Sequence, residues 1–179
     1  ESLTDWATTA ANTAGELRLG SGSEIVSAVE TRQQILVFTD ESLYAMQFLG
    51  PPFTFGVNLV SENITTMGPL SAVAVEDNVF WMGLKEFYVY GGTVQRLPCT
   101  VRDFVFDDFN ILQREKIVAA TNTAFSEIWW FYPSASSDNN DRYVVYNYEQ
   151  KVWYYGSLAR SYWMDRGIFD NPIAAGPNN

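Results

Sequence analysis

The sequence predicts an all-β chain of repeated four-stranded units. Three observations carry that: a strand-favouring composition, a recurring pair of apolar strands, and a small-residue strand ahead of each pair. Aromatic residues make up 16% of the 179 residues, with 6 Trp, 10 Tyr and 12 Phe, and apolar residues 47%. Such side chains fit a pleated, buried surface. With charged residues at only 18%, the chain can bury a core large enough to offset its ordering entropy.

The recurrence sets the order of elements. Ile35-Leu36-Val37-Phe38 aligns with Val79-Phe80-Trp81-Met82, and at the same offset Leu43-Tyr44-Ala45-Met46 falls on Phe87-Tyr88-Val89-Tyr90. Four-residue turns separate the members of each pair, as in hairpins. A third copy runs from Ile128-Trp129-Trp130-Phe131-Tyr132, through a longer turn at 133–141, to Arg142-Tyr143-Val144-Val145-Tyr146-Asn147. Insertions in repeat folds go to loops, so the longer turn keeps the register.

A small-residue strand precedes each hairpin: Val26–Val29, Ala72–Val75 and Ile117–Ala120, with Pro172-Ile173-Ala174-Ala175 predicted to open a fourth unit. With Ala28, Ala74, Ala119 and Ala174 as markers, the steps are 46, 45 and 55 residues. A fourth extended segment follows each hairpin, at Phe53–Val60, Thr93–Leu97 and Val152–Tyr155. Four strands per unit at this spacing is the pattern of a β-propeller blade. The predicted blades are 24–60, 71–97 and 117–155, with 172–179 starting another. The stretch from Trp6 to Leu19 reads as the tail of an earlier unit. Propellers use at least about 4 blades, so the chain is expected to be a segment of a larger propeller. One short helix is predicted at Asp107–Arg114, with Asp107 and Asp108 at its N-terminus, where the helix dipole favours negative charge.

Composition limits the chemistry. The formal charge is −10, with 21 acids against 11 bases, so non-specific grip on a phosphate backbone is not expected. There is no His, which removes imidazole general bases, Ser-His and Cys-His nucleophile systems and His-ligated zinc. The single Cys99 can form neither an internal disulfide nor a cysteine metal site. No run approaches the ~18 apolar residues of a membrane-spanning helix.

Several local motifs have a structural and a chemical reading. Asp107-Asp108 is a paired carboxylate or a helix cap. Asp138-Asn139-Asn140-Asp141 is rich in oxygen ligands but lacks the alternating spacing of a calcium loop, and reads as an exposed turn. Asn63-Ile64-Thr65 is a glycosylation sequon that matters only in a secreted eukaryotic protein. Gly50-Pro51-Pro52-Phe53 reads as a rigid edge turn. Arg102 and Arg160 read as structural pairs. Trp81, Trp129, Trp130, Trp153 and Trp163 are core residues or a stacking platform. Trp129 and Trp130 must face opposite sides of a strand. A glycosidase would need two carboxylates, and the candidates are Asp40, Glu127 and Asp165. No site unites nucleophile, base and oxyanion donor.

Several stretches together resemble a known family. They are Asp5-Trp6 with Asn12-Thr13-Ala14-Gly15-Glu16, Thr39-Asp40 with Ser42-Leu43-Tyr44, Gly50-Pro51-Pro52-Phe53, Val101-Arg102-Asp103 with Val105-Phe106-Asp107-Asp108, Arg142-Tyr143-Val144-Val145-Tyr146-Asn147-Tyr148, and Trp153-Tyr154-Tyr155-Gly156 with Arg160 and Trp163-Met164-Asp165-Arg166-Gly167. They resemble the propeller-bearing virion proteins of short-tailed bacteriophages called tail nozzle, tail hub or packaged-DNA stabilisation proteins. Those proteins are considerably longer than this chain. The resemblance implies a non-enzymatic protein of the phage tail, in a ring of its own copies, six-fold in the intact assembly, beside neighbouring tail and adaptor proteins. It implies that packaged DNA is retained and then passed without sequence-specific contact, with no cofactor, metal or membrane. An acidic conduit suits that task, because like charge prevents adhesion.

The expected structural residues are Ala28, Ala74 and Ala119 on inner strands, and Phe38, Trp81, Trp129, Trp130 and Trp153 in the packing. The expected partner-contact loop contains Ser134, Ser136, Asp138, Asn139, Asn140 and Asp141. The alternative function is a carbohydrate- or receptor-binding propeller, whose exposed aromatics would stack on sugars.

Overall fold

The structure is a computed structural model that describes residues 7–9 and 14–176. It contains three four-stranded antiparallel sheets in which spatial order follows chain order. The first holds β1 (Ile25–Glu30), β2 (Ile35–Thr39), β3 (Ser42–Phe48) and β4 (Phe55–Glu62). The second holds β5 (Ala72–Val75), β6 (Asn78–Met82), β7 (Phe87–Tyr90) and β8 (Val94–Leu97). The third holds β9 (Val118–Asn122), β10 (Glu127–Tyr132), β11 (Arg142–Asn147) and β12 (Val152–Ser157). A two-stranded hairpin follows, β13 (Tyr162–Met164) with β14 (Ile173–Ala175). Each strand predicted from the repeats is present, to within a few residues at its ends. Asp5, Trp6, Asn12, Thr13 and residues 177–179 lie outside the described residues, and 14–19 form no strand.

Alternation along the second strand of each unit explains how the units pack. On β6, Val79 and Trp81 are fully buried against Leu36, Phe38, Leu43 and Ala45 of the first sheet. Their neighbours Phe80 and Met82 point the other way, into a cluster with Ile128, Trp130, Tyr132, Val144 and Tyr146 of the third sheet. A strand buried on both faces reads as a continuous apolar run instead of an alternating one. Each sheet therefore presents one face back to the preceding unit and one face forward. The indoles tie these contacts to the backbone: Trp130 Nε1 donates to the Ser71 carbonyl at 3.0 Å and Trp81 Nε1 to the Thr65 carbonyl at 3.2 Å. A buried N–H left without such a partner would be costly.

The first strands β1, β5, β9 and β13 lie beside one another in turn, which places them at the inner edge. This corrects the predicted start of the fourth unit. Ile173–Ala175 is a strand, but it is the second of its unit, paired with Tyr162–Met164 in the register Trp163↔Ala174. The irregular step of 55 residues came from taking Ala174 as the marker; with Trp163 the step is 44, in line with the others. Small side chains suggested an inner strand at 172–175. The true inner strand carries an indole, whose Nε1 donates to the Thr121 carbonyl of β9 at 2.9 Å.

The helix also differs from expectation. It is α1 (Arg102–Asp107), so Asp107 and Asp108 stand at its C-terminal end. A turn of 3₁₀ helix follows at Ile111–Lys116, capped by Asn110 Oδ1, which accepts from the Leu112 N–H at 3.2 Å. Asp108 is held there by Arg142 of β11, Nε to carboxylate 3.1 Å. That cross-link outweighs the weak dipole preference. No helix among the described residues is long and apolar enough to cross a membrane.

Candidate functional site

The linker 98–117 and the long turn between β10 and β11 share one rim of the molecule. The linker satisfies part of its backbone within α1 and the 3₁₀ turn, and the groups at their ends take partners from outside. The turn supplies them. Asn140 Nδ2 donates to the carbonyls of Lys116 (2.7 Å) and Arg160 (3.0 Å). Asn110 Nδ2 donates to the Ser137 carbonyl at 2.9 Å, and the Asn110 N–H to the Pro133 carbonyl at 3.0 Å. Ser134 donates through its N–H (2.7 Å) and Oγ (2.8 Å) to the Asp141 carboxylate.

The expected partner-contact loop is therefore divided. Ser134 and Asn140 are buried and Asp141 is half-buried, all three acting as internal clamps. Ser136, Asp138 and Asn139 remain exposed, with Asp138 accepting from Gln113 Nε2 at 3.3 Å and from Lys116 Nζ. Among the described residues, no group of three or more acids or Cys is placed to hold a metal ion.

Beside the linker lies an open cleft of about 650 Å³. Met67, Phe106 and Phe109 form its apolar floor, with Lys85, Arg102 and Arg114 at the edge. Arg102 is engaged, at 3.3 Å from Glu86 and 2.7 Å from Asp103, as expected for a structural pair. Arg160 has no such ion pair among the described residues: its Nη1 donates to the Ala159 carbonyl at 2.7 Å. Cys99, half-buried at the start of the linker, has its thiol pushed up to about 11 by burial.

The other predicted residues fall as follows. Phe38, Trp81 and Trp130 are fully buried. Trp153 is half-buried, with its ring 4.7 Å from Phe87 and Tyr146, and Nε1 donating to the Pro98 carbonyl at 2.8 Å. Trp129 faces away from Trp130 and is half-buried. It stacks on Trp163 at 5.5 Å with planes 10° apart. The two indoles thus cover each other, as packing between units and not as a bare platform. Ala74 and Ala119 are half-buried, but Ala28 is exposed, which corrects its place in the core. All three pair with the second strand of their sheet, at Ala28↔Val37, Ala74↔Val79 and Ala119↔Trp130. Ala74 and Ala119 face the preceding unit, and among the described residues no blade precedes β1.

The three candidate carboxylates serve as acceptors in separate networks. Asp40 accepts from Ser23 Oγ (2.6 Å) and the Ser23 N–H (2.8 Å), which hold its carboxyl below the usual value of 3.8. Glu127 accepts from Trp129 Nε1 (2.9 Å), Asn122 Nδ2 (3.1 Å) and the Tyr154 hydroxyl. Burial, and then the bond to Glu127, push that hydroxyl well up from its ordinary value. Asp165 accepts from the Thr123 N–H (3.0 Å), Thr121 Oγ1 (3.1 Å) and the Arg166 N–H (2.7 Å). Burial alone would raise its pKa, but these bonds together outweigh it and hold the carboxyl below 3.8.

Sequence reasoning missed a polar cleft of about 380 Å³ between the first two sheets. Gln34, Gln47, Asn78 and Tyr90 line it. Gln34 Nε2 donates to the Tyr90 hydroxyl (2.7 Å) and Gln47 Nε2 to Gln34 Oε1 (2.8 Å). These residues are remote in sequence, and only the packing of two units joins them.

No protein-family profile matches the chain, and no curated protein matches it. Among solved structures, it is similar to the WD40 domain of Neurospora crassa Pan2, with a TM-score of 0.50 at 13% identity. The match covers 86% of this chain and 44% of that one. These sheets are β-propeller blades. At this identity the likeness concerns the fold alone. The chain spans less than half the length of the propeller domain it matches.

Proposed function

We propose that this chain is a non-enzymatic structural module of a phage tail nozzle or hub. It closes the head-tail channel, retains packaged DNA and passes it on ejection. Its partners are its own copies in a ring, six-fold in the intact assembly, and neighbouring tail and adaptor proteins, and its place is the virion. The observation that carries the reading is the set of exposed apolar side chains along the blade row, from blade 1 to the last hairpin. Phe48 is 68% exposed at one end and Tyr162 56% at the other. Surfaces of this kind mark protein contacts. The engagement of Asp40, Glu127 and Asp165 as framework acceptors supports a scaffold role, and a net charge of −10 suits a conduit past which DNA must slide. The test is immunogold labelling of intact phage particles from the source with antibody against this chain. Label at the tail tip is expected; unlabelled particles would overturn the reading.

The polar cleft favours a second reading, a carbohydrate- or receptor-binding propeller. Amide and hydroxyl groups such as those of Gln34, Gln47, Asn78 and Tyr90 suit the hydroxyls of a neutral sugar. Binding on a glycan array, lost in Gln34→Ala, would support it. An empty array would dispose of the sugar-binding form.

A further inference from the structure

The polar cleft between the first two blades holds a hydrogen-bond relay that has a direction. Gln34 stands just ahead of β2, Gln47 near the end of β3 and Tyr90 at the end of β7, so the relay forms only where blade 1 meets blade 2. Gln47 Nε2 donates to Gln34 Oε1 at 2.8 Å, and Gln34 Nε2 donates to the Tyr90 hydroxyl oxygen at 2.7 Å. Both ends of the Gln34 amide are thereby used. The Tyr90 oxygen already accepts, so its own proton must find an acceptor elsewhere. Tyr90 is only 7% exposed, yet among the described residues nothing accepts that proton. A buried donor without a partner is costly. Tyr90 lines the cleft, and a ligand acceptor placed there would satisfy it.

The rest of the lining asks for the opposite kind of group. Gln47 Oε1, at the start of the relay, receives no donor among the described residues. The carboxylate of Asp77, exposed on the turn ahead of β6, receives none either. The occupant that fits is therefore an acceptor flanked by donors. No cation lines the cleft, and Asp77 together with a net charge of −10 disfavours an anionic occupant. At about 380 Å³ the space lies within the usual range for a small ligand, roughly 300–1,000 Å³.

One wall depends on a glycine. A Cβ added at Gly91 would lie 2.5 Å from Asn78 Oδ1. Gly91 does not have a positive φ, so alanine there would displace the Asn78 amide and narrow the cleft without straining the backbone.

We propose that this cleft is a subsite for a neutral acetamido sugar, whose amide carbonyl accepts from the Tyr90 hydroxyl while its N–H and neighbouring hydroxyls donate to Gln47 Oε1 and Asp77. This rests on the sugar-binding reading above and names the class of sugar and the group that selects it. A plain hydroxyl both donates and accepts, so it fits a relay of either direction. An acetamido group has a carbonyl that only accepts beside an N–H that only donates, and so it matches a relay of fixed direction. Tyr90 is the specificity-determining residue. Gln34 is a positioning residue: it occupies the Tyr90 oxygen and so turns the phenol proton toward the ligand.

The test is saturation-transfer NMR on the intact protein, with methyl N-acetyl-β-glucosaminide and methyl β-glucoside as probes. The two differ only in the acetamido group. The acetamido sugar is expected to bind at least about fivefold more tightly, with the strongest saturation at its acetyl methyl. Tyr90→Phe removes one oxygen and keeps the ring, and it should bring the two sugars within about twofold of each other. A merely structural role for Tyr90 would weaken both and leave their ratio alone. Gly91→Ala should weaken both alike, which locates the site without touching the relay and stands if Tyr90→Phe fails to fold. Equal binding of the two sugars, tighter binding of the glucoside (the mark of a relay running the other way), a preference that survives Tyr90→Phe, or binding indifferent to Gly91→Ala would each overturn the inference and leave sugar binding itself standing. Silence from both probes overturns it too, and the glycan array then judges the sugar-binding reading separately.

Discussion

Blade 2 and blade 1 carry nearly the same apolar pattern and reach different ends. On β6, Val79 and Trp81 go one way and Phe80 and Met82 the other, and all four are buried. On β2, Leu36 and Phe38 are buried against blade 2, while Ile35 and Val37 on the opposite face are only half-covered. The strand pattern therefore reports how many faces a blade is built to bury, and neighbours decide how many it does bury. An apolar residue on a face left uncovered among the described residues contributes little to the stability of the single chain.

That contrast can be broken by substitution. The largest effect is expected from Trp130→Ala, which empties the interface between blades 2 and 3 and leaves the Ser71 carbonyl with the Met82 N–H as its remaining donor. Chemical denaturation should show a loss of about 3–5 kcal/mol. A neutral result would mean that this interface is not what holds blades 2 and 3 together. Trp129→Ala, on the other face of the same strand, removes a half-buried ring stacked on Trp163, and about 1–2 kcal/mol is expected by the same measurement. Equality with Trp130→Ala would erase the difference between a full blade interface and one made with a two-stranded hairpin.

The next effect concerns acid stability. Asp165 ties the hairpin to the β9–β10 turn, and its folded pKa lies below 3.8. A carboxyl lowered in the folded state contributes stability that is complete above its unfolded value and is lost as pH falls below it. Thermal melts taken from about pH 5 down to about pH 2 should therefore fall more steeply for the native chain than for Asp165→Asn. Parallel curves would remove Asp165 from the hairpin's attachment. The smallest effect is expected from Phe48→Ala in dilute protein, within about 0.5 kcal/mol. A cost above about 1 kcal/mol would show that the backward face of blade 1 is already covered.

Much of this architecture was legible because period and alternation are local. The strand pairs at 35–46, 79–90 and 128–147 each carry their own turn, and the opposed directions of Trp129 and Trp130 follow from strand geometry alone. What stayed hidden depends on contacts distant in sequence. Pro172–Ala175 looked like an inner strand because small residues mark that position, whereas Tyr162–Met164 holds it through Trp163 and Thr121. Asp107-Asp108 suggested a helix start, but Arg142, from another blade, fixes Asp108 at the helix end. The turn at 134–141 looked uniformly polar and exposed; its Asn140 is buried where it donates to the linker carbonyl of Lys116, and Ser134 where it is tied to Asp141 across the turn. The cleft at Gln34 and Tyr90 joins residues 56 apart.

The order of strands within each blade has a mechanical consequence. The chain enters every blade at the inner edge and leaves at the outer edge, then crosses back through the linkers at 63–71, 98–117 and 158–161. Tension on the chain would peel the outer strand of a blade first and meet resistance again only at the next interface. A single molecule stretched by its ends should therefore give way in discrete steps, each releasing roughly 150 Å of chain for the ~45 residues of one repeat. Such a row of blades would yield to load one unit at a time, and each linker would mark where one yielding event stops and the next begins.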